Sequence, residues 1–344
     1  MVFIKILVFG DCHWSTYSSI LRKRGLNYSI RLHNLIDSIN WVEEQARENH
    51  VDIIVGLGDF FDKESLNSEE ITALKEIIWS NKFHYFLIGN HEMGRNDLFY
   101  SSTQIFDKYN FKIIDESIIK FFAQTTSNIV FIPYTLNPNK DILDKILENC
   151  NKENKTIIFS HNDIAGIQLG QFISKFGFEI DDIENCCDLF INGHLHNGTK
   201  ITDKIINLGN LTGQNFSEDA SKYSHNIMIL DTETLKYQLI ENPFAINFYK
   251  LDAVNLTPNL YALKNNSVIT LKCYEKDVQY WKDAIANNSN IIESRIIIEK
   301  NKEDKEDINN DLTSSDHIEE FKKYVVANIG STDLILEELL EVCK

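Results

Sequence analysis

Five short apolar runs recur along the first 200 residues: Ile4 to Phe9, Asp52 to Leu57, Tyr85 to Ile88, Thr156 to Phe159 and Leu189 to Ile191. They lack the polar alternation of a half-buried strand, which predicts strands covered on both faces. Between them the spacing is helical. Leu32, Leu35, Ile36, Ile39, Val42 and Ala46 mark one apolar face and Ile71, Leu74, Ile77 and Ile78 another, so strand and helix alternate as in a layered α/β fold. After residue 200 the runs Ile205 to Leu208, Asn226 to Leu230 and Lys236 to Ile240 are separated by turn residues such as Asp231-Thr232-Glu233. These predict antiparallel strands that complete a second sheet. Residues 1–250 are thus read as one domain, a sheet sandwich with outer helices.

A smaller unit is expected over 251–300, with strands at Val268 to Tyr274 and Ile291 to Ile298 on either side of a helix from Asp277 to Ala286. This is a βαβ cap. Residues 301–315 open with a run of charged residues and Asn that reads as a solvated linker. Two helices are expected over 316–344. The second starts at the capping residues Ser331-Thr332-Asp333 and carries Leu336, Leu339, Leu340 and Val342, a face that either meets a partner or packs back on the chain.

Each of the five runs stops at a polar cluster: GDCH, GLGDFFD, GNHE, SHND and GHLH. In open α/β sheets, sites form at the carboxyl ends of the strands, so the five endings should converge on one rim. Asp11 and His13, and again His194 and His196, are spaced so that two side chains point one way with a residue skipped between them. Gly58 permits a tight turn that leaves the Asp59 carboxylate free to bridge two cations. Asn90 offers a neutral oxygen next to His91. Five of the ten histidines fall in these clusters (His13, His91, His161, His194 and His196), whereas His33, His50, His84, His225 and His317 do not. A mixed cage of imidazole, carboxylate and amide donors suits manganese or iron better than a cysteine-type zinc site.

Composition changes this picture little. With 43 % hydrophobic and 25 % charged residues in 344, 4 Pro and 14 Gly, the chain reads as globular. The apolar start, Val2 to Phe9, is too short for a membrane span and reads as a strand. The six cysteines form no CxxC pair and are expected as reduced thiols, with a cytoplasmic location. The net charge of -17 speaks against a nucleic-acid partner, because DNA binding rests on Lys and Arg. Part of that excess lies in residues 252–344, with 11 Lys and Arg against 18 Asp and Glu.

The series D-x-H, GD-x-x-D, GNHE, SH and GHLH resembles the calcineurin-like metallophosphoesterases over roughly residues 1 to 250. The resemblance implies a four-layer β-sandwich flanked by helices. It also implies that Asp11, His13 and His196 hold one divalent metal and Asn90, His161 and His194 the other, with Asp59 bridging. His91 is then free for catalysis, and Asp62 supports a ligand histidine or the substrate. GDFFDKESLNSEE, the segment Asn207 to Thr212, the hairpin Leu230 to Thr234 and the cap with its terminal helices resemble the repair-nuclease branch, the SbcD-type subunit and its bacteriophage recombination-endonuclease counterpart.

That branch implies a manganese-dependent 3′ to 5′ exonuclease on duplex DNA and an endonuclease on single strands, with Mg²⁺, Fe or Zn as other metals. Implied partners are DNA, an SMC-like coiled-coil ATPase and a second copy of the chain, without a membrane; a viral chain would act in host cytoplasm. Arg22, Lys23 and Arg24 are candidate phosphate contacts or a solvated loop, and Trp14 a base-stacking or a packed side chain. A phosphatase or cyclic-nucleotide phosphodiesterase is the alternative, since the cage is common to all of them.

Overall fold

In the computed structural model, which describes residues 4–16, 27–106, 110–120, 127–169 and 172–300, the chain opens with β1 (Lys5–Phe9). It continues through α1 (Ile30–Glu48), β2 (Ile53–Gly56), α2 (Ser68–Ala73), β3 (Phe83–Leu87), the ribbon β4 (Met93–Gly94) and β5 (Asp97–Ser101), and β6 (Phe111–Ile114). Next come β7 (Ile118–Lys120), β8 (Asn128–Ile132), α3 (Lys140–Asn149), β9 (Thr156–Ser160), the ribbon β10 (Gln168–Leu169) and β11 (Phe172–Ile173), α4 (Ile180–Cys186), β12 (Leu189–Asn192), β13 (Thr199–Lys200) and β14 (Ile205–Asn207). The last elements are β15 (Asn226–Asp231), β16 (Tyr237–Glu241), β17 (Asn247–Asp252), β18 (Ser267–Tyr274), α5 (Val278–Ala286) and β19 (Ile291–Glu299).

Two six-stranded sheets result, ordered β16-β15-β1-β2-β3-β6 and β13-β14-β12-β9-β8-β7. The continuous apolar runs are explained by what covers them. In β1, Ile6 and Val8 face the other sheet and pack with Phe131, Phe159 and Ile191, while Leu7 and Phe9 face Leu32, Leu35 and Ile39 of α1. In the second sheet Ile157 and Phe159 face inward, and Ile158 packs outward with Leu143 of α3 and Ile183 of α4. The order of layers is helix, sheet, sheet, helix, a mixed α/β fold. Both sheets are parallel at their centres, β1-β2-β3-β6 in one and β8-β9-β12-β14 in the other. The ends of β1, β2 and β3, and those of β9 and β12, therefore lie at common edges.

α1 forms where the spacing puts it, because Ser29 caps it by accepting from the Leu32 amide and the predicted apolar face is buried. The second predicted face is corrected. α2 stops at Ala73, a 3-10 turn covers Leu74–Glu76, and Ile78 is exposed. Asn40 holds the extended course after Glu76 from outside: its Nδ2 donates to the Glu76 carbonyl at 3.2 Å and its Oδ1 accepts from the Ile78 amide at 2.8 Å. The chain then turns Trp79 into a cluster with Phe60, Phe86, Phe106 and Phe111.

The small unit holds one strand more than expected. β17 pairs in parallel with β18, which pairs in parallel with β19 across α5, so the expected break at 250/251 falls inside a strand. Residues 301–344, with the expected linker and helices, lie outside the described residues. None of the described helices is long and apolar enough to cross a membrane.

Phe86, 1 % exposed, packs against Phe9, Phe60, Phe106 and Phe111 at ring separations of 5.4 to 5.8 Å. Phe86→Ala is expected to cost about 3 to 5 kcal/mol of unfolding free energy in a urea titration, as for other large core truncations.

Candidate metal centre

β1, β2 and β3 deliver Asp11 and His13, Asp59, and Asn90 and His91 to the common edge, and β9 and β12 deliver His161, His194 and His196. Loops from the two sheets are joined there: the Leu57 carbonyl lies 2.8 Å from His161 Nδ1, and the His194 amide donates to Asp11 Oδ1 at 3.0 Å. Within the first sheet the Asp11 and His13 amides donate to the Gly58 and Asp59 carbonyls at 3.2 and 2.9 Å.

Tight turns make this possible. Asp11, His13, Asp59 and His194 all have left-handed backbone, with φ of 46°, 49°, 47° and 71°, which is strained for residues with a Cβ and clusters at functional sites. A Cβ on Gly89 would collide with Asp59 Oδ1, and one on Gly58 would lie 2.5 Å from His161 Nδ1.

The donor atoms form two triads, Asp11, His13 and His196 on one side and Asp59, His161 and His194 on the other, and a third group, His13, Asp59 and His91, links them; in each the ligand atoms lie within 4.8 Å of one another. Asp59 Oδ2 is 3.8 Å from His13 Nε2 and 3.1 Å from His161 Nε2, so it faces both. Asn90 Oδ1 lies 3.0 Å from His194 Nδ1 and 3.3 Å from His161 Nε2. The seven residues singled out in the sequence are thus in one place. Their atoms fit a pair of divalent cations, since three of the four imidazoles turn one nitrogen into the cage and the other onto an acceptor, the arrangement that fixes ring orientation in metal sites. Asp62 Oδ1 is 3.0 Å from His13 Nδ1 and Asp163 Oδ1 is 3.3 Å from His194 Nε2; Leu57 serves His161, and Glu218 Oε1 stands 3.9 Å from His196 Nδ1.

The floor is dry and the rim is wet. Asp11, His13, Asp59 and His161 are at most 2 % exposed, whereas the His91 side chain is 43 % exposed. His91 belongs to neither of the two outer triads but to the linking group with His13 and Asp59. Its amide donates to Asp59 Oδ1 at 3.0 Å, its Nδ1 is 3.2 Å from the Asp62 carbonyl, and its ring stands edge-on to His13 at 4.6 Å. Beside His194 and His196 opens a cavity of about 690 Å³, walled by Ile167, Leu195 and Ile201 with Lys200 at its edge.

Charge is distributed so that protons and cations compete for the floor. Burial alone would push His161 down, but the charge and hydrogen bond of Asp59, with Asp11 and Glu92, carry it up to about 9. Burial would raise Asp59, yet His161, then His13 and His91, hold it well below the usual carboxylate range. Burial, with the Asp59 charge, raises Asp11. Burial, with Asp59 again, raises Glu92, whose Oε1 accepts from Thr103 Oγ1 at 3.1 Å. His196 is pushed down to about 3 by burial and by His13.

The remaining candidates fare differently. Trp14 is a correction: it is fully buried, stacked on Phe60 at 6.1 Å, with Nε1 donating to the Glu70 carbonyl at 3.1 Å, so no base reaches it. Arg22, Lys23 and Arg24 lie outside the described residues. Sequence reasoning missed Asp163 and Glu218, and it missed three buried amides. Asn162, Asn192 and Asn207 are at most 1 % exposed and tie the site loops together: Asn162 Nδ2 donates to the Pro133 carbonyl at 3.0 Å, Asn192 Nδ2 to the Gly193 carbonyl at 2.7 Å, and Asn207 Nδ2 to the Leu195 carbonyl at 2.6 Å. The one available signal was their position at strand ends next to SHND, GHLH and NLGN.

Comparison with known proteins agrees with this geometry. The profile of the family described as calcineurin-like phosphoesterase matches residues 4–198. DNA double-strand break repair protein Mre11 of Sulfurisphaera tokodaii is 25% identical over 205 residues, 56% of this chain and 49% of that protein, so the chain spans about half the length of the curated relative it matches. Among solved structures, a novel archaeal phosphodiesterase is matched over 69% of this chain and 99% of its own, at 15% identity and a TM-score of 0.34. A dimetal phosphatase from Danio rerio is matched over 70% and 99%, at 15% identity and 0.43.

Two outcomes are expected. Gly89→Ala should lose divalent-cation binding, measured by calorimetry, while far-ultraviolet circular dichroism is kept. In the metal-free protein the raised His161 adds stability that is complete below about pH 6.5 and lost as pH rises through about 9. A cation must displace that proton, so its affinity should rise over the same window, with proton release visible in buffers of different ionisation enthalpy.

Proposed function

The chain belongs to the calcineurin-like phosphoesterase family, and from that premise we propose that it is a two-metal nuclease that hydrolyses phosphodiester bonds in DNA. The observation that carries DNA is the match to a DNA double-strand break repair protein.

In this reading Asp11, His13 and His196 hold one cation and Asn90, His161 and His194 the other, with Asp59 between them; Mn²⁺ is the proposed metal. The pair supplies Lewis acidity at phosphorus and a nucleophile at neutral pH when bound. His91 stands at the wet rim, where it meets the departing alkoxide and donates the proton that the new hydroxyl needs. Asp62, through its carbonyl and carboxylate, aims both His91 and His13. The strained turns hold these groups before substrate arrives, so little reorganisation remains for the chemical step.

Exonuclease action from 3′ ends of duplexes and endonuclease action on single strands are the proposed activities. Residues 316–344 are the proposed docking segment for a coiled-coil ATPase, and a homodimer is the proposed assembly. A phosphatase or cyclic-nucleotide phosphodiesterase is the second reading, favoured by the net charge of -17.

Labelled duplex and single-stranded DNA, incubated with the full chain and Mn²⁺, should be cut. His91→Ala should lower the single-turnover rate by about 10² to 10⁴, the usual worth of a general acid, with Mn²⁺ binding kept. Hydrolysis of a cyclic nucleotide or a phosphopeptide with DNA left whole would select the second reading.

A further inference from the structure

His196 differs from the other three cage imidazoles in where its outer partner comes from. Leu57, Asp62 and Asp163 sit in the strand-end loops that carry the ligands themselves, whereas Glu218 belongs to a loop that runs from Leu211 to Ala220 toward the small sheet. The start of this loop is fastened to the site. The Leu211 amide donates to the Gly10 carbonyl at 3.0 Å, the Asn210 amide to the His196 carbonyl at 3.1 Å, and Gln214 Nε2 to the Asp11 carbonyl at 3.2 Å.

Its further course is fastened to the small sheet. The Gly213 amide donates to the Ile246 carbonyl at 3.0 Å, the Ala220 amide to the Phe248 carbonyl at 2.6 Å, and Lys250 Nζ to the Ser217 carbonyl at 2.6 Å. Phe216 stands edge-on to Phe248 of β17 at 5.6 Å, and the Arg295 guanidinium of β19 covers its ring at 4.4 Å. Glu218 itself is 2 % exposed. Its Oε1 accepts from the Gln214 amide at 2.9 Å and from Asn210 Nδ2 at 3.2 Å, and its Oε2 from Tyr223 OH at 3.0 Å. A buried carboxylate is costly unless it is held by donors and faces a cation or an imidazole N–H. Glu218 has the donors, the charge of the buried Arg31 favours its ionised form, and the imidazole it faces is His196, with Nδ1 at 3.9 Å.

We propose that Glu218 is the positioning residue for the Asp11, His13 and His196 metal position, and that the small sheet, by clamping the loop on Phe216, sets how tightly that position holds its cation. This rests on the two-metal reading above. The 3.9 Å gap to His196 closes to a hydrogen bond by a shift of about 1 Å, which orders the ring with Nε2 in the cage. A loop freed from the small sheet loses that alignment. The second position, built from Asp59, Asn90, His161 and His194, has its own outer acceptors and is untouched.

The test is a Mn²⁺ titration of the full metal-free chain by calorimetry, with electron paramagnetic resonance of free Mn²⁺ as a second count. Wild type should bind two ions. Glu218→Gln, which keeps the volume and most of the donors' partners, should weaken one ion by about 10- to 100-fold, the usual worth of an outer-shell partner, and leave the other unchanged. Phe216→Ala should weaken the same ion by several fold, and Arg295→Met, a surface change, should do so in the same direction without lowering the melting temperature. The effects of Glu218→Gln and Phe216→Ala should be less than additive, since one acts through the other. Two ions bound with wild-type affinity in both Glu218→Gln and Phe216→Ala would overturn the inference and leave the two-metal reading intact. Equal weakening of both ions at an unchanged melting temperature would also overturn it. Fewer than two ions on wild type would overturn the two-metal reading and the inference with it.

Discussion

One carboxylate has to face two ways at once, and the centre of this molecule is arranged around that need. Asp59 turns Oδ2 toward His13 and His161 while the His91 amide holds Oδ1. To reach that pose its backbone enters the left-handed region, the preceding residue is glycine, and Gly89 of the neighbouring strand end gives up the space that a Cβ would take. None of these features makes sense alone. Together they keep a buried anion between imidazoles that can either share protons with it or give them up to cations.

The layers around it divide the work by polarity. Apolar contacts between the sheets and under the helices fix where the strands end, but they supply no direction to a ring or a carboxylate. Direction comes from polar groups just behind the loops, the buried amides Asn162, Asn192 and Asn207 on the side of the second sheet and the buried Glu92 with the partly exposed Asp62 on the side of the first. A polar network of this kind is costly if half satisfied and specific when complete. The strain at four site residues is tolerated because so much else determines their positions.

Much of this was legible in the sequence, and the limits follow from physics. Strand ends could be read because apolar runs of three to six residues stop at residue types with no use in a core, as expected of buried strands covered on both faces. His91 and the seven cage residues lie within a few positions of those stops, so local spacing located them. Asp163 was hidden because a single Asp after a His is common, and only the ring of His194, far along the chain, gives it meaning. Glu218 was hidden for the same reason, with the added distance of a loop. Trp14 was ambiguous beside His13, because whether an aromatic side chain stacks inward is decided by Phe60 and by the Glu70 carbonyl on another element. The extended course after Glu76 is held by Asn40, a side chain of a different helix, and no propensity within Ile71 to Ile78 records it. The third strand of the small sheet, which straddles the expected boundary at 250/251, went unread, since a parallel partner 15 residues or more downstream leaves no local turn signal.

The triads draw on both sheets: Asp11 and His13 come from one and His196 from the other, and Asp59 from one with His161 and His194 from the other. An ion in either position would therefore act as a rivet through the sandwich at one end, joining groups more than 100 residues apart in the chain. Apolar contact brings the two sheets together, and ions held at that end would stop one sheet from sliding over the other at the edge where an error of one ångström matters most.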